Sequence, residues 1–148
     1  ISSNEYVIVS SEDATYVINA LSGAIIRKFN IISKIKPLII KNHLFLVSSN
    51  NLLICINIKT SEIIYSLNIN KKIAEFFEIK QETALFEDIL FANNKILIQL
   101  KNSYIVEFDI KGDLINIFKL KNKINSKLIF IDNSILYLNK KNKLIVLG

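Results

Sequence analysis

Four segments of this chain repeat one pattern: an apolar strand, a short polar turn, and a second apolar strand. The first runs through residues 5–11 and resumes at 15–23; the second covers 43–49 and 52–61. The third covers 95–101 and 104–112, and the fourth 134–140 and 143–148. Segment starts are 38, 52 and 39 residues apart, so the repeat is searched for before any single element is assigned. Past a turn, each of the first three continues into another strand: Ala24–Asn30, Glu62–Asn68 and Asp113–Lys119. A short strand then leads into the next unit: Pro37–Asn42, Glu87–Ala92 and Lys127–Asp132. With the strands of a complete unit called A to D, the chain begins in B of one unit and ends in C of another, fourteen strands in all.

The runs read as strands because they are four to eight residues long, rich in β-branched side chains, and bounded by Asn, Ser, Gly, Asp and Lys. Their apolar spacing is continuous or alternating and has no helical period. Leu52–Ile58 is apolar almost throughout, as a strand covered on both faces must be. A four-stranded antiparallel sheet that recurs every ~40 residues with both faces covered by its neighbours is a propeller blade. The predicted fold class is therefore all-β: a partial β-propeller of three to four four-stranded blades, read as one domain over 1–148. The blades fall at 1–36 (strands B–D), 37–83, 84–126 and 127–148 (strands A–C). Gly23 and Gly112 stand where a tight hairpin needs positive φ, and Ser61 takes that place in the second unit at a modest cost. An array whose first and last blades are incomplete leaves faces and edges bare, which predicts an open arc that self-associates or is poorly soluble.

The 52-residue spacing comes from the stretch Lys71–Glu87, where Ile73, Phe76, Phe77 and Ile79 alternate with Glu75, Glu78, Lys80 and Glu82. It reads equally as a short amphipathic helix or as a long D–A connection. Long irregular elements carry function more often than the strands they join, so Phe76, Phe77, Glu78, Lys80 and Glu82 are the candidate partner-binding residues.

Little else points to chemistry. The hydrophobic fraction of 51% excludes disorder, and no apolar run approaches the ~18 residues that cross a bilayer. Ile and Lys are abundant, with 18 Lys against one Arg, as an AT-rich genome would encode. The absence of Met, including at position 1, suggests a fragment or a processed product, and Ile1–Ala20 shows no signal-peptide pattern. The net charge of +6 sits in short turns such as Lys71-Lys72, Lys121-Asn122-Lys123 and Lys140-Lys141-Asn142-Lys143, and reads as solubilising lysines. Without interleaved aromatics these turns do not suggest nucleic-acid binding. His43, the only His, reads as an exposed turn residue, and Cys55, the only Cys, as a small buried hydrophobe. Glu12-Asp13 and Glu87-Asp88 are adjacent pairs whose side chains point to opposite faces of a strand, so neither forms an acid/base couple. No Gly-rich phosphate loop or nucleophile elbow is present. No catalytic, metal or cofactor residue is assigned.

The C–D hairpins Val17–Arg27, Cys55–Tyr65 and Glu107–Asn116 resemble the pyrroloquinoline-quinone-type propeller repeat, with Asn19, Asn57 and Asp109 at the acidic or amide position that starts the turn. The family's Trp position carries Arg27, Tyr65 and Asn116, a departure that marks a degenerate branch. Within that superfamily the arrangement is similar to the BamB family of outer-membrane assembly lipoproteins, whose chain closes with a hairpin like Asn133–Gly148. The resemblance implies an eight-bladed ring of which this chain is the C-terminal part. It also implies a non-enzymatic scaffold, lipid-anchored upstream on the periplasmic face of the outer membrane, which binds the barrel-insertion subunit through its loops. Two other readings stay open: a fragment of a quinoprotein dehydrogenase, whose catalytic residues would lie in missing blades, and a structural cell-envelope repeat protein.

Overall fold

The computed structural model describes residues 5–148, among which there are fourteen strands and one helix. Every strand pairs antiparallel with its sequence neighbour, giving four meander sheets. Sheet 1 is β1(Tyr6–Ser10), β2(Thr15–Asn19) and β3(Ile25–Phe29); sheet 2 is β4(Leu38–Ile40), β5(His43–Val47), β6(Leu52–Asn57) and β7(Ile63–Asn68). The helix α1(Ile69–Phe77) follows β7. Sheet 3 is β8(Phe86–Ala92), β9(Lys95–Leu100), β10(Tyr104–Asp109) and β11(Leu114–Lys119); sheet 4 is β12(Ile129–Ile131), β13(Ser134–Leu138) and β14(Leu144–Leu147). The chain divides into two compact units at Ile69/Asn70, the first holding sheets 1 and 2 and the second sheets 3 and 4.

Turn chemistry sets the registers. In each C–D hairpin the residue predicted to start the turn accepts backbone hydrogen bonds through its side-chain oxygen. Asn19 Oδ1 accepts from the N–H of Leu21 (2.9 Å) and Ser22 (2.8 Å), Asn57 Oδ1 from Lys59 (2.9 Å), and Asp109 Oδ1 from Lys111 and Asp113 (both 2.9 Å). Each hairpin then carries a register shift, between Val17 and Ile18, Cys55 and Ile56, and Glu107 and Phe108. The positive φ that the bulged turn needs falls on Gly23 (71°), Ser61 (64°) and Gly112 (94°), as the repeat predicted. The A–B turns Asn93-Asn94 and Asp132-Asn133 have positive φ at both positions, the type I′ geometry that suits the twist of a two-residue hairpin.

In the first unit, Ile8 and Val17 of sheet 1 share a core with Leu44, Leu46, Ile54 and Ile56 of sheet 2. Sheet 2 is buried on both faces, since Phe45, Val47, Leu53 and Cys55, on the alternate side, are also below 3% exposed. Arg27 reaches from sheet 1 to the C–D turn of sheet 2: its Nε donates to Ser61 Oγ (2.8 Å) and its Nη2 to the Lys59 carbonyl (3.1 Å). A guanidinium thus adds a polar sheet-to-sheet contact to the apolar one in this unit. In the second unit Leu97 and Ile105 of sheet 3 pack with Tyr137 of sheet 4 and with Leu120 and Leu128 of the segment between them. The other face of sheet 4 is apolar and open: Ile129, Ile131, Leu144 and Val146 are each more than half exposed.

Candidate functional site

Three connections lead from the last strand of one sheet to the first strand of the next: 30–37, 69–85 and 120–128. The two shorter ones lie along the following sheet and pair with it, through the bridges Ser33↔Ser48 and Ile124↔Asn139. The long one forms α1 and then a loop through 78–85, which resolves the open choice for this stretch in favour of a helix followed by irregular chain.

The helix stops in a Schellman motif. Ile79 N–H donates to the Ala74 carbonyl (3.0 Å), Glu78 N–H to the Glu75 carbonyl (3.4 Å), and Glu78 sits between them at φ 55°. The loop is then drawn back by Asn70, 3% exposed on the first turn, whose Oδ1 accepts from Ala84 N–H (3.1 Å). Leu85 next offers its carbonyl to Lys101 N–H (2.9 Å), and β8 begins. Between helix, loop and sheet 3 lies a cleft of about 440 Å³ with Ile73, Ala74, Phe77 and Ile79 on one side and Leu100, Tyr104 and Ile117 on the other. Lys80, Glu82 and Asn102, with Asn70 and Thr83, provide its polar groups.

Of the five residues predicted for partner binding, the fold brings Phe77, Lys80 and Glu82 to this cleft. Phe76 lies beside it, 43% exposed, with its ring edge-on to that of Phe77 at 5.2 Å. Glu78 is the turn residue of the helix end and does not line the cleft. Sequence reasoning missed Tyr104, which stacks edge-on with Phe77 (6.0 Å) and carries the Lys119 ammonium 5.3 Å from its ring centre. In the sequence Tyr104 is one more aromatic at the start of a strand. Only the register of β10, which places it opposite Lys119, marks it out.

The remaining candidates serve structure. Cys55 is 1% exposed, and burial pushes its thiol up to about 11, so it holds no reactive thiolate near neutrality. His43 opens β5 beside the turn residues Lys41 and Asn42 and is half-buried where an exposed side chain was expected, with its ring 6.5 Å from that of Phe45 and its backbone paired with Ile40. Asp13 accepts a hydrogen bond from Ser11 Oγ, which holds its carboxyl below the ordinary carboxylate range. Asp88 is 2% exposed, with Oδ1 on its neighbour's N–H at Ile89 (3.0 Å) and Oδ2 3.9 Å from Lys127 Nζ. Among the described residues no three His, Cys, Asp or Glu side chains converge as metal ligands would, and no helix is long and apolar enough to cross a membrane.

The chain matches no family model and no curated protein. Among solved structures it is similar to BamB from Moraxella catarrhalis, with a TM-score of 0.76 at 12% identity over 99% of this chain. It is also similar to the computationally designed Ika4 protein (TM-score 0.66, 18% identity, 99% of this chain and 86% of that one). The WD40 domain of SCAP from fission yeast gives a TM-score of 0.67 at 12% identity, over 97% of this chain and 36% of that one. The chain spans 41% of the BamB chain. At these identities the likenesses speak to fold, and they agree with the sheets described above: this is an all-β chain of propeller blades, four antiparallel sheets of three or four strands.

Proposed function

We propose that this chain is a non-catalytic scaffold that binds a protein partner through the cleft between α1, the loop 78–85 and sheet 3. The observation that carries the reading is the exposed aromatic pair at the cleft. Phe76 and Phe77 stay 43% and 40% exposed on the longest connection, and Phe77 and Tyr104 stand edge-on in a largely apolar cleft. Aromatic side chains in such a setting are the usual anchors of protein interfaces. The partner-binding set becomes Phe76, Phe77, Lys80 and Glu82 joined by Tyr104, with Glu78 shaping the turn that presents them.

The finer part of the proposal is a role in outer-membrane β-barrel protein assembly, with the barrel-insertion subunit as partner and the periplasmic face of the outer membrane as location. It is supported by the closing hairpin Asn133–Gly148 and by the likeness to BamB. In-cell crosslinking of the full parent protein, followed by affinity capture, tests both parts. The expected result is recovery of the barrel-insertion subunit and at least a tenfold loss of it in Phe77→Ala/Tyr104→Ala, with far-ultraviolet circular dichroism unchanged. Unchanged recovery in that variant would exclude the cleft, and capture through the cleft of a different protein would remove the assembly role.

A further inference from the structure

In a meander sheet the B–C turns and the D–A connections emerge at one end, and the A–B and C–D turns at the other. In the second unit this topology sorts the charges. Lys101, Lys121, Lys123, Lys127, Lys140, Lys141 and Lys143 all belong to the first end, while Asp109, Asp113 and Asp132 belong to the second together with Lys95 and Lys111. Two of the lysine segments are fastened side by side. Lys140 N–H donates to the Lys123 carbonyl (3.0 Å), Asn125 N–H to the Leu138 carbonyl (2.8 Å), and Asn125 Nδ2 to Asn142 Oδ1 (3.1 Å). Read singly, each turn is a solubilising lysine cluster; fastened together they make one basic surface. All seven lysines are exposed. The acidic groups that emerge at this end are Glu75, Glu78 and Glu82 on the 69–85 connection, Glu87, half-buried, and Asp88, buried next to Lys127. None lies in the two fastened segments, 121–127 and 139–143.

The first unit, with the same sheets, carries no such surface. Its corresponding segments hold Lys34 and Lys36 against Glu12 and Asp13, with Lys28 4.0 Å from Asp13. The basic surface is therefore not a by-product of the blade repeat.

The apolar groups among the lysines indicate which anion it suits. Leu138 and Leu144 pair directly across the base of the Asn139–Lys143 turn and are 39% and 60% exposed. Leu85, 63% exposed, lies against Lys101 through the backbone hydrogen bond of 2.9 Å. The chain's one Arg is Arg27, in the other unit, so this surface has no planar guanidinium to grip a phosphate in two-point fashion. Nor do the two fastened segments, 121–127 and 139–143, contain an aromatic side chain on which bases could stack. Flexible ammonium groups ringing exposed leucines match a surface whose anionic headgroups overlie hydrocarbon.

We infer that the lysine-rich end of the second unit docks on an anionic lipid surface, with Leu138 and Leu144 entering the headgroup boundary. Each lysine near such a surface multiplies partitioning by roughly fivefold, and the attraction weakens with salt. The test is co-flotation of the full chain with phosphatidylcholine vesicles that contain about a third phosphatidylglycerol, against phosphatidylcholine alone. Binding is expected only with the anionic lipid. Lys140→Glu/Lys141→Glu/Lys143→Glu should lower it more than about a hundredfold, and Leu138→Ser/Leu144→Ser about tenfold. The same leucine variant should leave any retention on duplex DNA unchanged. No flotation, flotation unaffected by the leucine variant, displacement by millimolar inorganic phosphate, or tighter retention on DNA than on vesicles would each overturn the inference. Both variants change exposed positions, and their circular dichroism and melting curves confirm that they are folded before they are scored.

Discussion

The two units share three parts: one three-stranded sheet, one four-stranded sheet, and a connection of similar length between them, 30–37 in the first and 120–128 in the second. They secure that connection differently. In the first unit buried Thr15 donates through Oγ1 to the Ile31 carbonyl (2.8 Å) near the start of the segment. The first unit's segment also reaches sheet 2 through a long bond from Ser33 Oγ to the Val47 carbonyl (3.5 Å) and an exposed one from Lys34 Nζ to Asn51 Oδ1 (2.5 Å). In the second, Gln99 lies 2% exposed within β9 and holds two points at once: its Nε2 donates to the Ser126 carbonyl and its Oε1 accepts from Leu128 N–H, both at 3.2 Å. Ser103 Oγ accepts a third, from Ile124 N–H (3.1 Å). Strand pairing and apolar burial are common to both units, whereas side-chain anchors and end charges are not. The repeat therefore constrains the blades and leaves the ends where connections emerge free to diverge, and there the candidate surfaces lie.

The comparison breaks first at the cores. Leu46 and Ile105 are fully buried in their respective units, so Leu46→Ala and Ile105→Ala should each lower stability by about 4 kcal/mol. Amide exchange is expected to rise in β5 and β6 for the first and in β9 and β10 for the second. Equal losses of protection in all four strands from either variant would mean that the division into units has no energetic counterpart. Next come the anchors. Gln99→Leu strands a buried N–H and a carbonyl together and should destabilise by about 3 kcal/mol, against about 1 kcal/mol for Thr15→Val. Urea denaturation of the two variants side by side decides it, and equal shifts would erase the distinction between the anchors.

How much of this could be read from residues alone follows the same division. All fourteen strands were legible, because β-branched runs between Asn, Ser, Gly and Asp turns leave the chain few choices. Ser61 was legible as well: it takes the positive φ that Gly23 and Gly112 supply elsewhere. The stretch 69–85 was not. Its helix has Lys71 and Lys72 near the N-terminus and Glu75 near the C-terminus, the reverse of what the helix dipole favours, and lacks a terminal Gly. The end charges therefore oppose a helix that the apolar spacing of Ile73, Phe76 and Phe77 favours, and packing with the Asn70 bond to Ala84 settles the choice. Phe77, Lys80 and Glu82 were found because they fall in the irregular stretch. Tyr104 and Lys119 were missed because a pair created by cross-strand register has no footprint in either strand's own sequence. The lysine surface was missed for the same reason, since its two halves meet only through the bonds that join Lys123 to Lys140 and Asn125 to Leu138.

The long connection offers a sharper contrast with the short ones. Asn70→Ala removes the one side-chain bond shown to close it, so the loss of global stability should be small, about 1 kcal/mol. Protease cleavage should rise within 78–85 while 30–37 and 120–128 keep their resistance. Crosslinking through the Phe77 cleft should fall with it, because the loop forms one side of that cleft. Cleavage rising equally at all three connections would show that Asn70 supports the whole unit and not this loop.

The smallest effect runs in the opposite direction. Glu78 holds φ 55° at the position where helices commonly end in Gly, and its carboxylate faces the negative end of the helix dipole. Glu78→Gly removes both penalties at once and should raise stability by about 1 kcal/mol, less the extra backbone entropy that Gly brings to the unfolded chain. Because Glu78 shapes the turn without lining the cleft, partner capture should be unchanged in this variant, whereas Phe77→Ala should lose it. Thermal melting followed by crosslinking reads both consequences on one sample. A gain in stability accompanied by lost capture would reassign Glu78 from the turn to the interface, and would move the binding surface from the cleft toward the end of the helix.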